Sequence, residues 1–434
     1  MRPTRRDFLL GGVGAGATLP LLRSPLTLAA ALPVENRVLV VLQLKGGNDW
    51  LNTVVPATHP VYQAARPQIR ISAAQGLPCG SSASNGPLYF HPALAGIKRL
   101  WDAGKVALVH GVGYPNQSFS HFRSEDVWYT ADPTATGVVD GWLGRYFRDV
   151  YQGGYSIPSL LAQSTGSPAL AGYGTPSITN PTLFAFQTDP ATSLIDGRLE
   201  QNLLLANTRA LRPTAHPNLS YVANVIDAAV NNSTLLQTVG TGYTPRATYP
   251  AAATNSLVTP LQLIARYITG GSSTPGAGLD TRCYYLSTPT IGDLPTNFDT
   301  HSGQGGATGN QATLLDRVSG ALEAFYNDLQ QWGHSQRVVI LVWTEFTRRV
   351  GQNGSMGTDH GDAGGVVLIG DGIVGGNYGA YPDLTPILPP YDQRNLAPTT
   401  DFRDVYATLL QKWWGANPQL VIPGWNPTLM GFLP

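Results

Sequence analysis

The sequence predicts an α/β protein: a central, mostly parallel sheet flanked by helices, with a loop-rich insertion about 151–294. Three observations carry this expectation. Arg37–Leu44 (RVLVVLQL) is a continuous apolar run closed by Gly46-Gly47, the pattern of a strand buried on both faces. Helix-period and strand-like runs alternate through the last third of the chain. Apolar residues make up 42% of the 434 residues and charged ones only 12%, against ~25% charged in an average soluble domain, so a large core is available.

In chain order, residues 1–31 come first and read as an export leader. Arg5-Arg6-Asp7-Phe8-Leu9 followed by a mildly apolar run from Gly11 to Leu22 is a twin-arginine signal, and Ala29-Ala30-Ala31 offers a small-residue cleavage site. The competing reading, a basic start before a membrane helix, is opposed by Arg23 and by the Gly and Ala content of the run. Residues 32–434 are then expected to form one domain, periplasmic or secreted, with the twin-arginine translocon as a partner during export. No later run approaches the ~20 apolar residues of a membrane span, so none is expected in the mature chain. Cys79 and Cys283 are the only cysteines, and pairing stays open.

After the first strand, Pro92–Ala103 reads as a helix with Leu94, Ile97, Leu100 and Trp101 on one face, followed by a strand at Val106–His110. From Tyr151 to Leu294 the residues turn to Pro, Ser, Thr, Asn and Gly. Cap or insertion elements are expected there in place of core sheet, with helical pieces at Leu199–Leu211 and Leu257–Thr269. Asn310–Trp332 carries Leu314, Val318, Leu322, Phe325 and Leu329 at helical spacing and is stopped by Gly333. Arg337–Thr344 and Gly365–Gly370 read as buried strands, and Phe402–Trp414 as a closing helix.

Composition also narrows function. Lys+Arg and Asp+Glu both number 27, a net charge of zero, which argues against an electrostatic nucleic-acid binder. A Ser-His-Asp hydrolase is disfavoured by the lack of a G-x-S-x-G elbow. A dinucleotide fold is disfavoured because no G-x-G-x-x-G follows the first strand. Carboxylates and imidazoles do gather in four short loops near strand ends: Asp49, the Asp299/His301 pair, Glu345, and Asp359-His360. Mixed carboxylate–imidazole donors suit divalent metals, and ligands of open α/β sheets bind beyond the strand ends. Each piece has a plainer reading: a tight turn at Asp49, loop hydrogen bonds at the Asp-His pairs, and a Glu345 partner in Arg348 or Arg349. Ser118 or Ser120 stands at the start of a helix running to Trp128, either as an ordinary N-cap or as a nucleophile beside His121.

Arg-Arg-Asp-Phe-Leu, Leu-Lys-Gly-Gly-Asn-Asp-Trp-Leu-Asn, Ser-His-Phe, Gly-Trp-Leu-Gly-Arg, Phe-Asp-Thr-His, Thr-Glu-Phe-Thr-Arg and Gly-Thr-Asp-His-Gly occur here in one order. In this the chain resembles the DUF1501 proteins, twin-arginine-exported bacterial proteins similar to the alkaline phosphatase/sulfatase superfamily. The resemblance implies an alkaline phosphatase-like domain holding one or two divalent metal ions (Zn, Mn, Mg or Ca). It implies that Asp49 ligates one metal, that Asp299 and His301 form the Asp-His pair of the other, and that His360 is the last metal-binding His. Glu345-Phe346 falls where the superfamily carries Asp-His; in an alternative alignment Asp359-His360 is that pair. Ser120 and His121 match the nucleophile-bearing helix start, and Arg348 or Arg349 is placed to hold an oxygen of the transferring group. The expected function is metal-dependent hydrolysis of phosphate or sulfate esters, on a small-molecule or polysaccharide substrate. The alternatives are a non-catalytic secreted binding or scaffold protein on a degenerate version of the fold, and an enzyme that modifies surface polysaccharide.

Overall fold

β1 (Val38–Gln43) forms where the apolar run places it, with all six residues buried. The structure, a computed structural model, describes residues 36–154, 157–184, 203, 206–207, 217–274, 276–288 and 297–434. The leader expected at 1–31 and most of the helix expected at Leu199–Leu211 lie outside the described residues. Further strands are β2 (Val54–Val55), β3 (Leu77–Ser82), β4 (Gly86–Phe90), β5 (Val106–Gly113), β6 (Ser159–Leu161), β7 (Cys283–Ser287), β8 (Val338–Trp343), β9 (Gly364–Ile369), β10 (Gly376–Tyr378) and β11 (Thr400–Asp401). The helices are α1 (Trp50–Thr53), α2 (Pro60–Ala65), α3 (Ala95–Asp102), α4 (His121–Thr130), α5 (Trp142–Arg145), α6 (Pro217–Thr238), α7 (Val258–Thr269), α8 (Asn310–Trp332) and α9 (Phe402–Thr408).

The central sheet runs β10-β5-β9-β8-β1-β7-β6, with β11 also on β5, and a small antiparallel sheet runs β2-β4-β3. Every pairing in the central sheet is parallel except those of β9, which runs antiparallel to both β5 and β8. Alternation along β1 builds two cores, one on each face. Val38, Val40 and Leu42 face the layer of α3, α7 and α8, where Ile97, Ile264, Leu322 and Phe325 are buried. Leu39 and Val41 face the layer of α4, α5 and α9, where Trp128, Trp142 and Tyr406 are buried. α8 keeps its apolar stripe on the sheet and ends at Gly333, whose φ of 81° is the left-handed cap a glycine adopts without strain.

One expectation is corrected. Residues 151–294 contribute sheet as well as insertion: β7 pairs in parallel with β1, in register Leu39 to Cys283, and β6 pairs with β7. The five residues Cys283–Ser287 are too few to stand out against their Thr- and Pro-rich flanks. The strand before the Gly370 turn is reversed relative to its neighbours, because a hydrophobic run carries no information about its direction. That reversal matters for the site. The start of β9 lies at the same edge as the carboxyl ends of β1, β5, β7 and β8, so residues just before β9 meet residues just after the other strands. Cys79 and Cys283 are both free and buried, in opposite cores. Among the described residues no helix is long and apolar enough to cross a membrane.

Candidate metal centre

The turn after β1 sets the site's geometry. Gly46 and Gly47 take φ values of +108° and +74°. A Cβ on Gly46 would strike the backbone of Phe298 and Asp299, and one on Gly47 would strike the ring of Phe346. Only glycines let the 298–299 and 344–348 loops approach this closely. Arg348 then ties the loops together. Its guanidinium is wholly buried and donates to the Gly46, Gly47, Phe298 and Thr358 carbonyls and, at 2.8 Å, to Asp299 Oδ1. Arg348, expected to reach a substrate oxygen, is engaged with the protein's own backbone.

Asp299 is the centre of the cluster. Its Oδ1 lies 3.5 Å from His121 Nε2, 3.1 Å from His301 Nε2 and 3.3 Å from His360 Nε2. The His301 and His360 Nε2 atoms are 2.8 Å apart. The other nitrogen of each ring faces an oxygen that can only accept. His121 Nδ1 lies 2.7 Å from Glu345 Oε1, His301 Nδ1 3.0 Å from Asp359 Oδ1, and His360 Nδ1 2.6 Å from the Phe119 carbonyl. Each Nδ1 therefore carries a proton and donates it, which leaves Nε2 as the ring atom that would offer a lone pair inward once its own proton is lost. Three ring nitrogens and a carboxylate oxygen facing one another could hold a cation, and oriented imidazoles of this kind are the usual support of metal ligands. Zinc–ligand bonds of ~2.0–2.1 Å put tetrahedral donor atoms ~3.3 Å apart, within the spread of the separations here. His121 Nε2 is buried and makes no hydrogen bond, so this polar atom is satisfied only by what the cluster holds. The donors of His121, Asp299 and His360 alone lie within 4.8 Å of one another.

The acidic groups set the charge states of the cluster. Burial would lower the His121 pKa, but the Asp299 and Glu345 carboxylates outweigh it and raise it to about 9. Burial works to raise the Asp299 carboxyl, and the adjoining His121, His360 and Arg348 side chains hold it far below the usual carboxylate range. Asp359 is likewise lowered: its hydrogen bonds with Asn353 and His301 overcome burial. Phe346 closes the floor, its ring 4.8 Å from that of His121 and 4.7 Å from that of His360.

The structure thus brings together Asp299, His301 and His360, and adds His121, expected beside a nucleophile, as a fourth donor. Glu345 and Asp359 stand behind His121 and His301 as acceptors. Asp49 is not brought to the cluster. It caps α1 through Leu51 N and sits in a dry pair with Arg66, at 2.5 and 3.0 Å, both side chains fully buried. Gln304 Nε2 donates to the same carboxylate at 2.5 Å, while its Oε1 accepts from Thr300 and Thr358. Ser120 is the N-cap residue of α4, yet its side chain makes no capping bond and is exposed. Sequence reasoning missed Arg66 and Gln304. Gln304 lies in the Phe-Asp-Thr-His-Ser-Gly-Gln run, three residues after His301, whereas nothing marks Arg66, 17 residues from its partner.

The chain is similar to a sulfatase from Pseudoalteromonas sp., at 13% identity and a TM-score of 0.39 over 88% of this chain and 68% of that one. It is similar to a phosphonate monoester hydrolase of Agrobacterium radiobacter, at 11% identity and a TM-score of 0.36 over 91% and 78%. It is also similar to the lipoteichoic acid synthase LtaP from Listeria monocytogenes, at 7% identity and a TM-score of 0.26 over 80% and 67%. No curated protein matches it by sequence. Residues 280–421, which carry the Asp299, His301, Glu345, Asp359 and His360 loops, match a family described as "Protein of unknown function (DUF1501)".

Proposed function

We propose that the protein is a metal-dependent hydrolase of phosphate or sulfate esters, exported by the twin-arginine route and working in the periplasm or outside the cell. The observation that supports this reading best is the convergence of three inward-facing Nε2 atoms on Asp299 Oδ1. The ligand set is His121, Asp299, His301 and His360. Three nitrogens and one oxygen suit Zn or Mn, whereas Mg and Ca favour all-oxygen shells. When bound, a divalent cation would offset charge on the transferring group and favour a deprotonated nucleophile.

The chain's own residues do the rest. Glu345, Asp359 and the Phe119 carbonyl keep protons on the outer ring nitrogens. Arg348 holds the ligand loops in register. Ser120 offers a hydroxyl that is free of capping duty on the residue before His121. In hydrolysis the P–O or S–O ester bond breaks, the alcohol leaves with a proton, and the oxygen of water ends on phosphate or sulfate. With Ser120 as nucleophile, Ser120→Ala lowers kcat on 4-nitrophenyl phosphate or sulfate by roughly 10²-fold or more at unchanged metal content. An unchanged kcat assigns the attack to water directly.

Metal affinity is pH-dependent with a defined sign. A proton on His121 and the cation compete for the same nitrogen. Since His121 is raised to about 9, apparent affinity climbs by about tenfold per pH unit from neutrality and levels off above that pKa. Competition titrations with a chelating dye at pH 7, 8, 9 and 10 measure this, and a flat profile below pH 9 removes His121 from the ligand set.

A non-catalytic binding protein on this fold is the second reading. It is favoured by the engagement of Asp49 with Arg66, which keeps that carboxylate from a second cation. It predicts that the metal-loaded protein turns over neither class of ester.

A further inference from the structure

A groove of about 480 Å³ opens at the sheet edge that carries the metal centre. Its residues follow β1, β6 and β7 and begin α7: Lys45, Gln163, Ser287 and Thr288 among them. Its size falls within the ~300–1,000 Å³ of small-ligand clefts. Among the described residues no aromatic ring lines it. Seven of the residues that line it carry hydroxyls, among them Ser164, Thr165, Thr179, Ser256 and Thr259. Among the described residues Lys45 is the one cation in its wall, and Glu125 Oε1 lies 3.5 Å from Lys45 Nζ. The groove is therefore rich in hydroxyl donors and acceptors and close to neutral, which offers little to a strongly charged occupant.

Lys45 also joins the groove to the centre. Its carbonyl accepts from Phe298 N at 2.8 Å, the residue before Asp299. Its own N–H donates to Thr288 Oγ1 at 2.9 Å, and the next residue, Gly46, donates to Glu345 Oε1 at 2.8 Å. One residue thus contacts the groove wall and, through its neighbours, two of the loops that build the metal centre.

We infer that this groove binds the saccharide portion of the ester, placing an anionic ester group at the metal centre. A ligand carrying many hydroxyls matches a wall of hydroxyls, because each polar group on either side regains a partner on leaving water. The inference rests on the hydrolase reading for the ester, though not for the groove itself.

The test uses the full metal-loaded chain. Thr259→Trp, and separately Ser164→Trp from another wall, fill the groove with a large side chain. Turnover is compared on 6-phosphate and 6-sulfate esters of glucose, galactose and mannose and on 4-nitrophenyl phosphate and sulfate. The result expected is a fall of at least tenfold in the ratio of kcat/KM for the preferred sugar ester to kcat/KM for the nitrophenyl ester, in whichever variant keeps its wild-type melting temperature and metal content. An unchanged ratio in a folded variant overturns the inference. If no ester is turned over, calorimetric titration of wild type and variants with maltotriose reads the groove alone. Binding that is lost in the variants upholds a saccharide site even as the hydrolase reading fails, and no binding to the wild type overturns both.

Discussion

Asn in place of Asp299 empties the candidate metal centre. Asp299 Oδ1 is the one anionic donor at the point where three imidazole nitrogens meet, and it lies within 3.5 Å of each of them. An amide there carries no charge, and its NH₂ group, if turned inward, presents protons to lone pairs that await a cation. Removing a residue that only orients a ligand already costs about 10–100-fold in metal affinity, so loss of the anionic ligand is expected to cost at least about 10²-fold, and ester hydrolysis with it. Asp299 also balances Arg348, which keeps its backbone acceptors in the variant. The carboxylate is 35% exposed, so the fold is expected to survive. A melting curve close to wild type alongside lost metal separates the two effects.

Asp49→Asn is expected to act on the other property, stability. Asp49 and Arg66 are both fully buried, with two hydrogen bonds between them. Neutralising the carboxylate leaves a guanidinium in the core whose remaining partners are neutral: Asn52 and the Val350 and Arg349 carbonyls. Breaking one side of such a pair costs about 3–5 kcal/mol, whereas replacing both partners by apolar groups is often close to neutral. Urea unfolding should show a large drop in midpoint for Asp49→Asn, and a substantial recovery for Asp49→Asn combined with Arg66→Met. A single variant that matches wild type in stability and loses metal instead would return Asp49 to the ligand set.

The contrast between these two carboxylates shows how far the residues alone carry a reading. Asp299, His301, Asp359 and His360 were legible because they sit in short loops between strong periodic elements, and because mixed carboxylate–imidazole loops near strand ends point to ligand binding. Their division of labour was not legible. Whether an aspartate faces inward, as Asp299 does, or stands behind an imidazole, as Asp359 does, is decided by which ring nitrogen it meets across 58 residues of chain. Asp49 stood in the right place after a strand, but Arg66, distant and unmarked, claims its oxygens. The direction of β9, which brings His360 to the edge where Glu345 emerges, is likewise a tertiary outcome. α8 and β1 were read almost to the residue, since a four-turn stripe and a six-residue apolar run need no tertiary context.

The most direct test of the account is a metal analysis of wild type and Asp299→Asn purified from the compartment in which the protein resides, joined to X-ray absorption at the edge of whatever metal is found. The account predicts one divalent ion per wild-type chain, bound by three imidazole nitrogens and a carboxylate oxygen in its protein shell, and none in the variant. A wild-type chain without a stoichiometric ion, or an ion whose spectrum shows no histidine scattering, would contradict it.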